Sequence, residues 1–204
     1  MIVIVDYGVG NLSSVANMLR KAGGEATISR DPDVILAADK LLLPGVGHFD
    51  QGMKMLNASG LRESLDRFAL NIRRPVLGIC LGAQIMGKGS EEGVLSGLGW
   101  IDMVCHRFDA APGIRVPNMG WNQIVKKKPS PLLDQMADDA RFYFVHSYRM
   151  SCIQPDDVLA TADHGSEFVC AVQRGNIMGT QFHPEKSLRH GLALMKSFVE
   201  LRHT

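Results

Sequence analysis

The chain has 204 residues, of which 46% are hydrophobic and 21% are charged. This composition is typical of a globular protein with a substantial core, and it excludes a disordered chain, which has fewer apolar residues and a larger net charge. Lys and Arg total 22 and Asp and Glu total 21, leaving a formal net charge of +1. This balance excludes the basic excess that a nucleic-acid-binding or anionic-membrane-binding surface needs.

The N-terminus and the cysteines indicate the cellular compartment in which the protein is expected. The chain starts with the apolar segment Ile2–Val5 and lacks the basic segment and longer apolar stretch of a secretory signal. No apolar run approaches the ~20 residues of a membrane-spanning helix, so we expect a cytoplasmic protein. No cysteine pair has the spacing of a zinc site, and we expect no metal, no cofactor and mostly buried, free thiols. The cysteines are Cys80, Cys105, Cys152 and Cys170.

In the first half of the chain, short apolar segments alternate with stretches whose apolar residues recur at helical spacing. The predicted strands are Ile2–Val5, Ala26–Ser29, Lys40–Leu43 and Pro75–Cys80. Helices are predicted from Leu12, from Asp31-Pro32, over about 50–73 with a break near Ser59-Gly60, and over Ala83–Lys88. This alternation favours βαβ units, a parallel sheet and helices on both of its faces.

The second half of the chain changes character, because predicted strands follow one another with tight turns. These strands are Trp100–Phe108, Asn122–Lys126, Phe142–His146, Val158–Ala162, Phe168–Gln173 and Ile177–Gln181. The last predicted element is an amphipathic helix over about 189–201. With no visible repeat or linker, the sequence predicts a single α/β domain over 1–204. Its central sheet is mostly parallel and flanked by helices, and its C-terminal part is antiparallel.

The strongest local motif is Gly78-Ile79-Cys80-Leu81-Gly82, between a predicted strand and a predicted helix. Its spacing is that of a nucleophile elbow with cysteine in place of serine. The glycines would relieve clashes in a sharp turn, the helix N-terminus would favour the thiolate, and the Leu81 N–H would face an oxyanion. The alternative is a buried Cys80 with incidental glycines, and the pentapeptide by itself leaves both open.

A thiolate nucleophile needs a base and a group that orients the base. His183 follows an apolar predicted strand, and Glu185 stands two residues later, where its carboxylate can fix the tautomer of the ring. The end of a strand is also where ligand sites of α/β proteins lie. The alternative bases are His48, His146 and His164. The remaining histidines, expected at the surface or behind the site, are His106, His190 and His203.

The glycine-rich segment Pro44-Gly45-Val46-Gly47 follows another predicted strand. Its N–H groups can approach a substrate closely and supply a second oxyanion donor, and an ordinary turn is the alternative. Phosphate binding is disfavoured because the chain lacks a P-loop motif. Dinucleotide binding is disfavoured because Ser13 stands where a third glycine belongs.

Together, Gly-x-Cys-x-Gly and the distant His183-Pro184-Glu185 resemble the triad of class I glutamine amidotransferases. Further segments follow in order along nearly the whole chain, and within that family they are most similar to the glutaminase subunits of imidazole glycerol phosphate synthases. These segments are Asp6–Asn11, Pro44–Gly47 with Phe49 and Met53, Ser90–Gly93, Met119–Asn122, Phe144–Tyr148 and His183–Ser187.

The resemblance implies that Cys80 is the nucleophile, His183 the general base and acid, and Glu185 the residue that orients His183. Glutamine would form a glutamyl thioester on Cys80 and release ammonia, and water would then free glutamate. The oxyanion and glutamine contacts that the resemblance implies are Gly45, Val46, Gly47, Leu81, Gln84, Glu92, Ser147 and Tyr148.

The resemblance also implies a partner, a cyclase subunit with a (β/α)₈ barrel that forms a heterodimer with this chain. The cyclase would use the ammonia to make imidazole glycerol phosphate and aminoimidazole carboxamide ribotide in histidine biosynthesis. The residues implied on the partner face are Asn11, Met119, Trp121, Tyr143 and Lys186. For Trp121 a position in the core is the alternative.

Two positions depart from the family pattern and keep other acceptors open. Ala83 stands where a larger residue is common, and Asn118 stands where histidine is common. These variants resemble second copies of the subunit, some of which serve acetamidino-sugar synthesis in surface polysaccharide. A non-catalytic regulatory subunit and a cysteine hydrolase on a related fold are further alternatives. The intact Cys80, His183 and Glu185 argue against the former, and the glutaminase-like loops argue against the latter.

Overall fold

A computed structural model describes residues 1–109 and 113–201. The strands are β1 Ile2–Val5, β2 Ala26–Ser29, β3 Lys40–Gly45, β4 Val76–Cys80, β5 Gly89–Ser90, β6 Met103–Arg107, β7 Asn118–Gln123, β8 Val125–Lys126, β9 Arg141–His146, β10 Tyr148–Cys152, β11 Val158–Asp163, β12 Glu167–Arg174 and β13 Ile177–Thr180. The helices are α1 Leu12–Lys21, α2 Pro32–Ala37, α3 Phe49–Ala58, α4 Arg62–Asp66, α5 Leu81–Gln84 and α6 Leu188–Glu200. A π-helical turn, Arg67–Ile72, continues α4.

The first part of the central sheet is parallel, in the order β2-β1-β3-β4-β13. Strand β1 shows why its sequence is apolar throughout, since Ile2 and Ile4 enter one core while Val3 and Val5 enter the other. Helices α1 and α6 pack in the first core, and α3 and α4 pack in the second. A strand buried on both faces reads as a continuous apolar run, which confirms the predicted parallel sheet with helices on both faces.

Beyond β13 the sheet becomes antiparallel through β12, β10 and β6, with β5 added parallel at the edge. Strand β11 pairs with β12 and β8, while β7 and β9 form a separate antiparallel pair. The predicted α/β class with an antiparallel C-terminal part is therefore confirmed.

Several predicted elements were wrong in detail. Strands β5 and β10 were not predicted, and the predicted strand Asn122–Lys126 is divided between β7 and β8, which belong to different sheets. The predicted helix Ala83–Lys88 instead starts at Leu81 and ends at Gln84. Beyond that point the chain packs tightly on β6, where a Cβ on Gly87 would lie 2.7 Å from the carbonyl oxygen of Met103.

The four cysteines carry free thiols, and three of them are buried while Cys152 is partly exposed, as predicted. Within 1–109 and 113–201, no helix has the length and apolar character needed to cross a bilayer. Across the same two ranges, no cluster of three or more His, Cys, Asp or Glu side chains is arranged to hold a metal ion.

Candidate active site

Cys80 ends β4 and immediately precedes α5, at the carboxyl edge of the parallel strands. Its backbone has φ +54° and ψ −113°, a strained conformation for a residue other than glycine. A Cβ on Gly82 would lie 1.7 Å from the carbonyl oxygen of Leu43, and one on Gly78 would lie 2.7 Å from the Cα of Ala83. Glycines therefore allow the elbow to close against β3, which is the role predicted for them.

The sheet brings His183 to Cys80 because β13 pairs with β4, and His183 follows β13 at the same edge. His183 Nδ1 lies 2.8 Å from Glu185 Oε1, and the two side chains are only 2% and 4% exposed. Cys80 and His183 line the same cavity, and the sulfur is close enough to act on the charge of the His183 ring. Since Nδ1 faces Glu185, Nε2 is the nitrogen that faces the thiol.

The charges around His183 favour its protonated form. Burial alone would lower the pKa of His183, but the hydrogen bonds and negative charges of Cys80 and Glu185 together raise it to about 9. Below that pH an imidazolium stands beside the sulfur, and an adjacent imidazolium is a standard means of keeping a cysteine as the reactive thiolate.

A cavity of about 590 Å³ opens in front of Cys80 and His183. Of the predicted glutamine-contact residues, those that line it are Val46, Gly47, Gln84, Glu92, Ser147 and Tyr148. Gly45 and Leu81 do not line it. Gly45 pairs with Cys80 in the sheet, and the Leu81 side chain is buried against Gly52. Any contribution of these two residues is therefore made by the backbone.

Two carboxylates tie the start of α3, which follows the glycine-rich segment, to the loop that carries Glu92. Glu92 Oε2 accepts a hydrogen bond of 2.8 Å from the N–H of Phe49, at the start of α3. Asp50, on the same turn, accepts hydrogen bonds from the N–H groups of Val94 and Leu95 at 3.1 and 3.0 Å. These reciprocal contacts hold together two walls of the cavity, and no sequence motif predicted the part played by Asp50.

Gln181 is a further residue of the site that no sequence motif predicted. Its side chain is fully buried, with Nε2 3.8 Å from Cys80 Sγ and Oε1 accepting a 2.9 Å hydrogen bond from Gln84 Nε2. The available signal was a polar residue within the apolar run that leads to His183, since a buried amide needs partners.

The alternative bases have other partners. His146 lines the cavity, but its Nδ1 lies 2.7 Å from the Tyr148 carbonyl oxygen and its Nε2 lies 3.0 Å from Asn118 Nδ2. His48 caps α3, and His164 bonds the Arg115 carbonyl. The remaining histidines in the described residues are both half-buried, with His106 bonded to Glu91 and His190 bonded to Arg141. His203 lies outside the described residues.

His146 leads to a pH prediction. Burial, partly offset by the hydrogen bond to the Tyr148 carbonyl, lowers the pKa of His146 from 6.5 to about 4. The folded state therefore favours the neutral ring, and this stabilisation is complete above pH 6.5 and is lost as the pH falls toward 4. We expect the free energy of unfolding to fall by about 2 kcal/mol more in the wild type than in His146→Gln between pH 7 and pH 5. Urea titrations of both proteins test this, and equal losses would contradict it.

Residues predicted for the partner face adjoin the cavity. Trp121 pairs with Tyr143 across β7 and β9, with ring centroids 6.1 Å apart, and Lys186 Nζ lies 5.8 Å from the Tyr143 ring centre. Met119 is 63% exposed and Trp121 is 48% exposed, so the alternative of a core position for Trp121 is wrong. Lys186 and Asn11 line the cavity itself. The segment 119–122 is part of strand β7.

The fold and this cysteine–histidine–carboxylate site agree with a family comparison. A profile described as glutamine amidotransferase class-I matches residues 3–201. The chain belongs to this family, and it is an enzyme of the glutaminase type.

Individual relatives of known name narrow the comparison within this family. The chain is 50% identical over 201 residues to a Pseudomonas aeruginosa protein named imidazole glycerol phosphate synthase subunit HisH 2, a match covering 98% of this chain and 100% of that protein. It is 44% identical over 200 residues to the Methanococcus maripaludis protein of the same name, covering 98% and 99% of the two chains. It is 45% identical over 204 residues to subunit HisH of Bdellovibrio bacteriovorus, covering 98% and 100%.

Solved structures share the fold at low identity. A crystal structure of a glutamine amidotransferase has a TM-score of 0.73 at 20% identity and covers 98% of both chains. PurLQS from Thermotoga maritima has a TM-score of 0.68 at 18% identity, covering 96% of this chain and 95% of that one. These two likenesses extend to the fold alone.

Proposed function

We propose that this chain is the glutaminase subunit of an imidazole glycerol phosphate synthase of histidine biosynthesis. It hydrolyses glutamine to glutamate and ammonia and passes the ammonia to a cyclase subunit. The observation that carries the proposal is the Cys80–His183–Glu185 arrangement at the mouth of a cavity. The full-length relatives named for this synthase support the choice of acceptor.

In the proposed reaction, the Cys80 thiolate attacks the side-chain amide carbon of glutamine and forms a tetrahedral intermediate. Backbone N–H groups of Leu81 and the Gly45–Gly47 segment stabilise the oxyanion. Protonated His183 gives a proton to the departing ammonia, leaving a thioester on Cys80. Neutral His183 then takes a proton from water, whose oxygen attacks the thioester and releases glutamate and the thiolate. Glu185 orients the ring of His183 in both steps.

The cavity suits the amino-acid end of glutamine. Glu92 offers a carboxylate to an ammonium group, and Ser147 and Tyr148, on the segment that follows β9, also line the cavity. Gln84, Val46 and Gly47 line the same cavity as Cys80. We assign all six residues to glutamine binding.

The proposed partner is a cytoplasmic cyclase subunit with a (β/α)₈ barrel that docks as a heterodimer. The exposed Met119 and Trp121 support this surface, because aromatic residues and methionine are enriched at protein interfaces. Lys186 belongs both to the cavity lining and to the Trp121–Tyr143 cluster, and Asn11 completes the proposed face. A barrel docked there would receive ammonia without exposing it to solvent.

Asn118 and Ala83 favour a second candidate, in which the same glutaminase supplies an acetamidino-sugar synthase. Asn118 is buried and bonded to His146 behind the cavity, and Ala83 is fully buried under the elbow. Both stand where other residues are common in the family. This candidate changes only the acceptor, whereas a non-catalytic regulatory role conflicts with the intact triad.

The first test measures glutamate release from glutamine by the purified chain, alone and with its cyclase subunit, each with and without the phosphoribulosyl intermediate. We expect the isolated chain to be nearly inactive and the rate to rise sharply when both partner and intermediate are present. Hydrolysis with the partner that does not respond to the intermediate would favour the sugar acceptor. Absence of hydrolysis in every mixture would contradict the proposal.

Replacing Glu185 by Gln tests the orienting role in the assembled enzyme. We expect kcat for glutamine hydrolysis to fall by about 10²-fold, because a neutral amide stabilises the imidazolium less well and can turn its NH₂ toward His183. Glu200→Gln, on the exposed face of α6, is the matched control and should leave kcat unchanged. A loss as large as that of removing Cys80 would require a further role for Glu185.

A further inference from the structure

Gln181 lies between β13 and His183 and has no part in the reaction as described so far. Its side chain is fully buried, and its Nε2 is 3.8 Å from Cys80 Sγ, within the range of a hydrogen bond to sulfur. On its other side, Oε1 lies 2.9 Å from Gln84 Nε2. A buried amide with these neighbours contacts the reacting atom directly.

The direction of the Gln181 amide follows from its neighbours. The chain of contacts begins at the Tyr148 carbonyl oxygen, which only accepts hydrogen bonds and lies 3.4 Å from the side-chain nitrogen of Gln84. That contact turns the NH₂ group of Gln84 toward Gln181 as well, so Gln181 must present its oxygen to Gln84. Its own NH₂ group is then left facing Cys80.

We propose that Gln181 is a further catalytic residue, whose side-chain N–H donates a hydrogen bond to Cys80 Sγ and stabilises the thiolate. The inference rests on the proposed function for its role in turnover. The thiolate is present twice in that reaction, as the attacking nucleophile and as the leaving group when water cleaves the thioester. A donor fixed in a buried position stabilises this charge without reorganising at each step.

His183 and Gln181 have different tasks at the sulfur. His183 gives up its proton when ammonia leaves and regains one only as water attacks, so its ring is neutral in the thioester enzyme and its charge changes during each turnover. The amide N–H of Gln181 does not titrate and stays in place through both half-reactions. The sulfur thus keeps one hydrogen-bond donor whose presence does not depend on the protonation state of His183.

The test is the rate of alkylation of Cys80 by iodoacetamide at pH 7, followed by mass spectrometry of the modified peptide. This rate measures thiolate and needs neither glutamine nor a partner. Burial raises the pKa of the other three thiols, that of Cys152 to about 12, so they react slowly. We expect Gln181→Met to slow alkylation about 10-fold at pH 7, because a hydrogen bond to a charged group is lost. The difference should shrink as the pH is raised toward 9.5.

Gln181→Glu is expected to slow alkylation more than Gln181→Met does, because it places a carboxylate beside the sulfur. Gln123→Met, on an exposed position of β7, is the control and should react like the wild type. If Gln181→Met fails to fold, Gln181→Asn replaces it, since it keeps an amide that is one methylene too short to reach Sγ. Thermal unfolding checks the fold of each variant.

Wild-type rates in a folded Gln181→Met or Gln181→Asn protein would overturn the inference, as would a loss that does not change with pH. In the complex with the cyclase subunit, we expect the folded variants to lose about 10-fold or more in kcat for glutamine hydrolysis. Failure of the proposed function is separately visible, because the wild-type complex would then hydrolyse no glutamine while the alkylation result would stand.

Discussion

Replacing Cys80 by Ser is expected to lower glutamine-dependent synthesis by the assembled enzyme by about 10⁴-fold or more while leaving ammonia-dependent synthesis within about twofold of the wild type. A serine hydroxyl is far less acidic than a thiol. In the wild type, the protonated ring of His183 stands beside the sulfur. In the variant, the neutral serine hydroxyl gives that ring no anionic partner and is a poor nucleophile. The acceptor reaction takes place in the partner, so ammonia supplied from solution bypasses the lost step.

Both activities are measured on the complex, with glutamine or with an ammonium salt at alkaline pH. Cys152→Ser is the matched control, because it changes a partly exposed thiol on β10 and should leave both activities unchanged. Loss of both activities in a well-folded Cys80→Ser complex would contradict the division of labour between the two subunits. Full retention of glutamine-dependent synthesis would support a non-catalytic role for this chain.

Replacing Gly82 by Ala is expected to lower the free energy of unfolding by about 3 kcal/mol or more and to reduce glutamine hydrolysis by over about 10²-fold. The new Cβ would lie 1.7 Å from the Leu43 carbonyl oxygen and 2.7 Å from the Leu43 carbonyl carbon. Both are backbone atoms of β3, so no side chain can rotate away. The elbow must move, and the Cys80 sulfur and Leu81 N–H move with it.

Gly89→Ala is the control for this change, because the nearest atom to its new Cβ is 3.9 Å away. We expect it to change stability by less than about 0.5 kcal/mol. Urea unfolding of the two variants and the wild type gives the comparison. A Gly82→Ala protein as stable as the wild type would mean that α5 does not approach β3 as closely as the structure has it.

The sequence predicted those elements whose own residues are enough to identify them. Strands β1, β3 and β4 are apolar runs buried on both faces, and such runs are recognisable without knowing their neighbours. The elbow was predictable because its two glycines lie within two residues of Cys80 in the sequence, although the clash that requires Gly82 is with the backbone of β3. Strand β10 was missed because only Met150 of its residues is buried, so it shows no clear alternation.

Sequence patterns did not predict the hydrogen bonds between polar side chains in the site. Gln181 stands two residues before His183 and Asn118 stands directly before Met119, but their amides contact atoms that are distant along the chain. Gln181 reaches Cys80, 101 positions away, and Asn118 reaches His146, 28 positions away. A buried amide needs a hydrogen-bond partner, but its position in the sequence does not identify that partner, because any donor or acceptor of suitable geometry satisfies it.

The sequence by itself determined the class of the sheet, the nucleophile elbow, the histidine–carboxylate pair and the family resemblance, because each depends on residues that are neighbours in the chain or on motifs in a fixed order. Only the tertiary structure decided that His183 faces Cys80, that Asp50 and Glu92 join two walls of the cavity, and that Gln181 contacts the sulfur. These contacts depend on the pairing of β13 with β4 and on the packing of loops at one edge of the sheet. Such pairings are set by the burial of the whole core, which no local pattern contains.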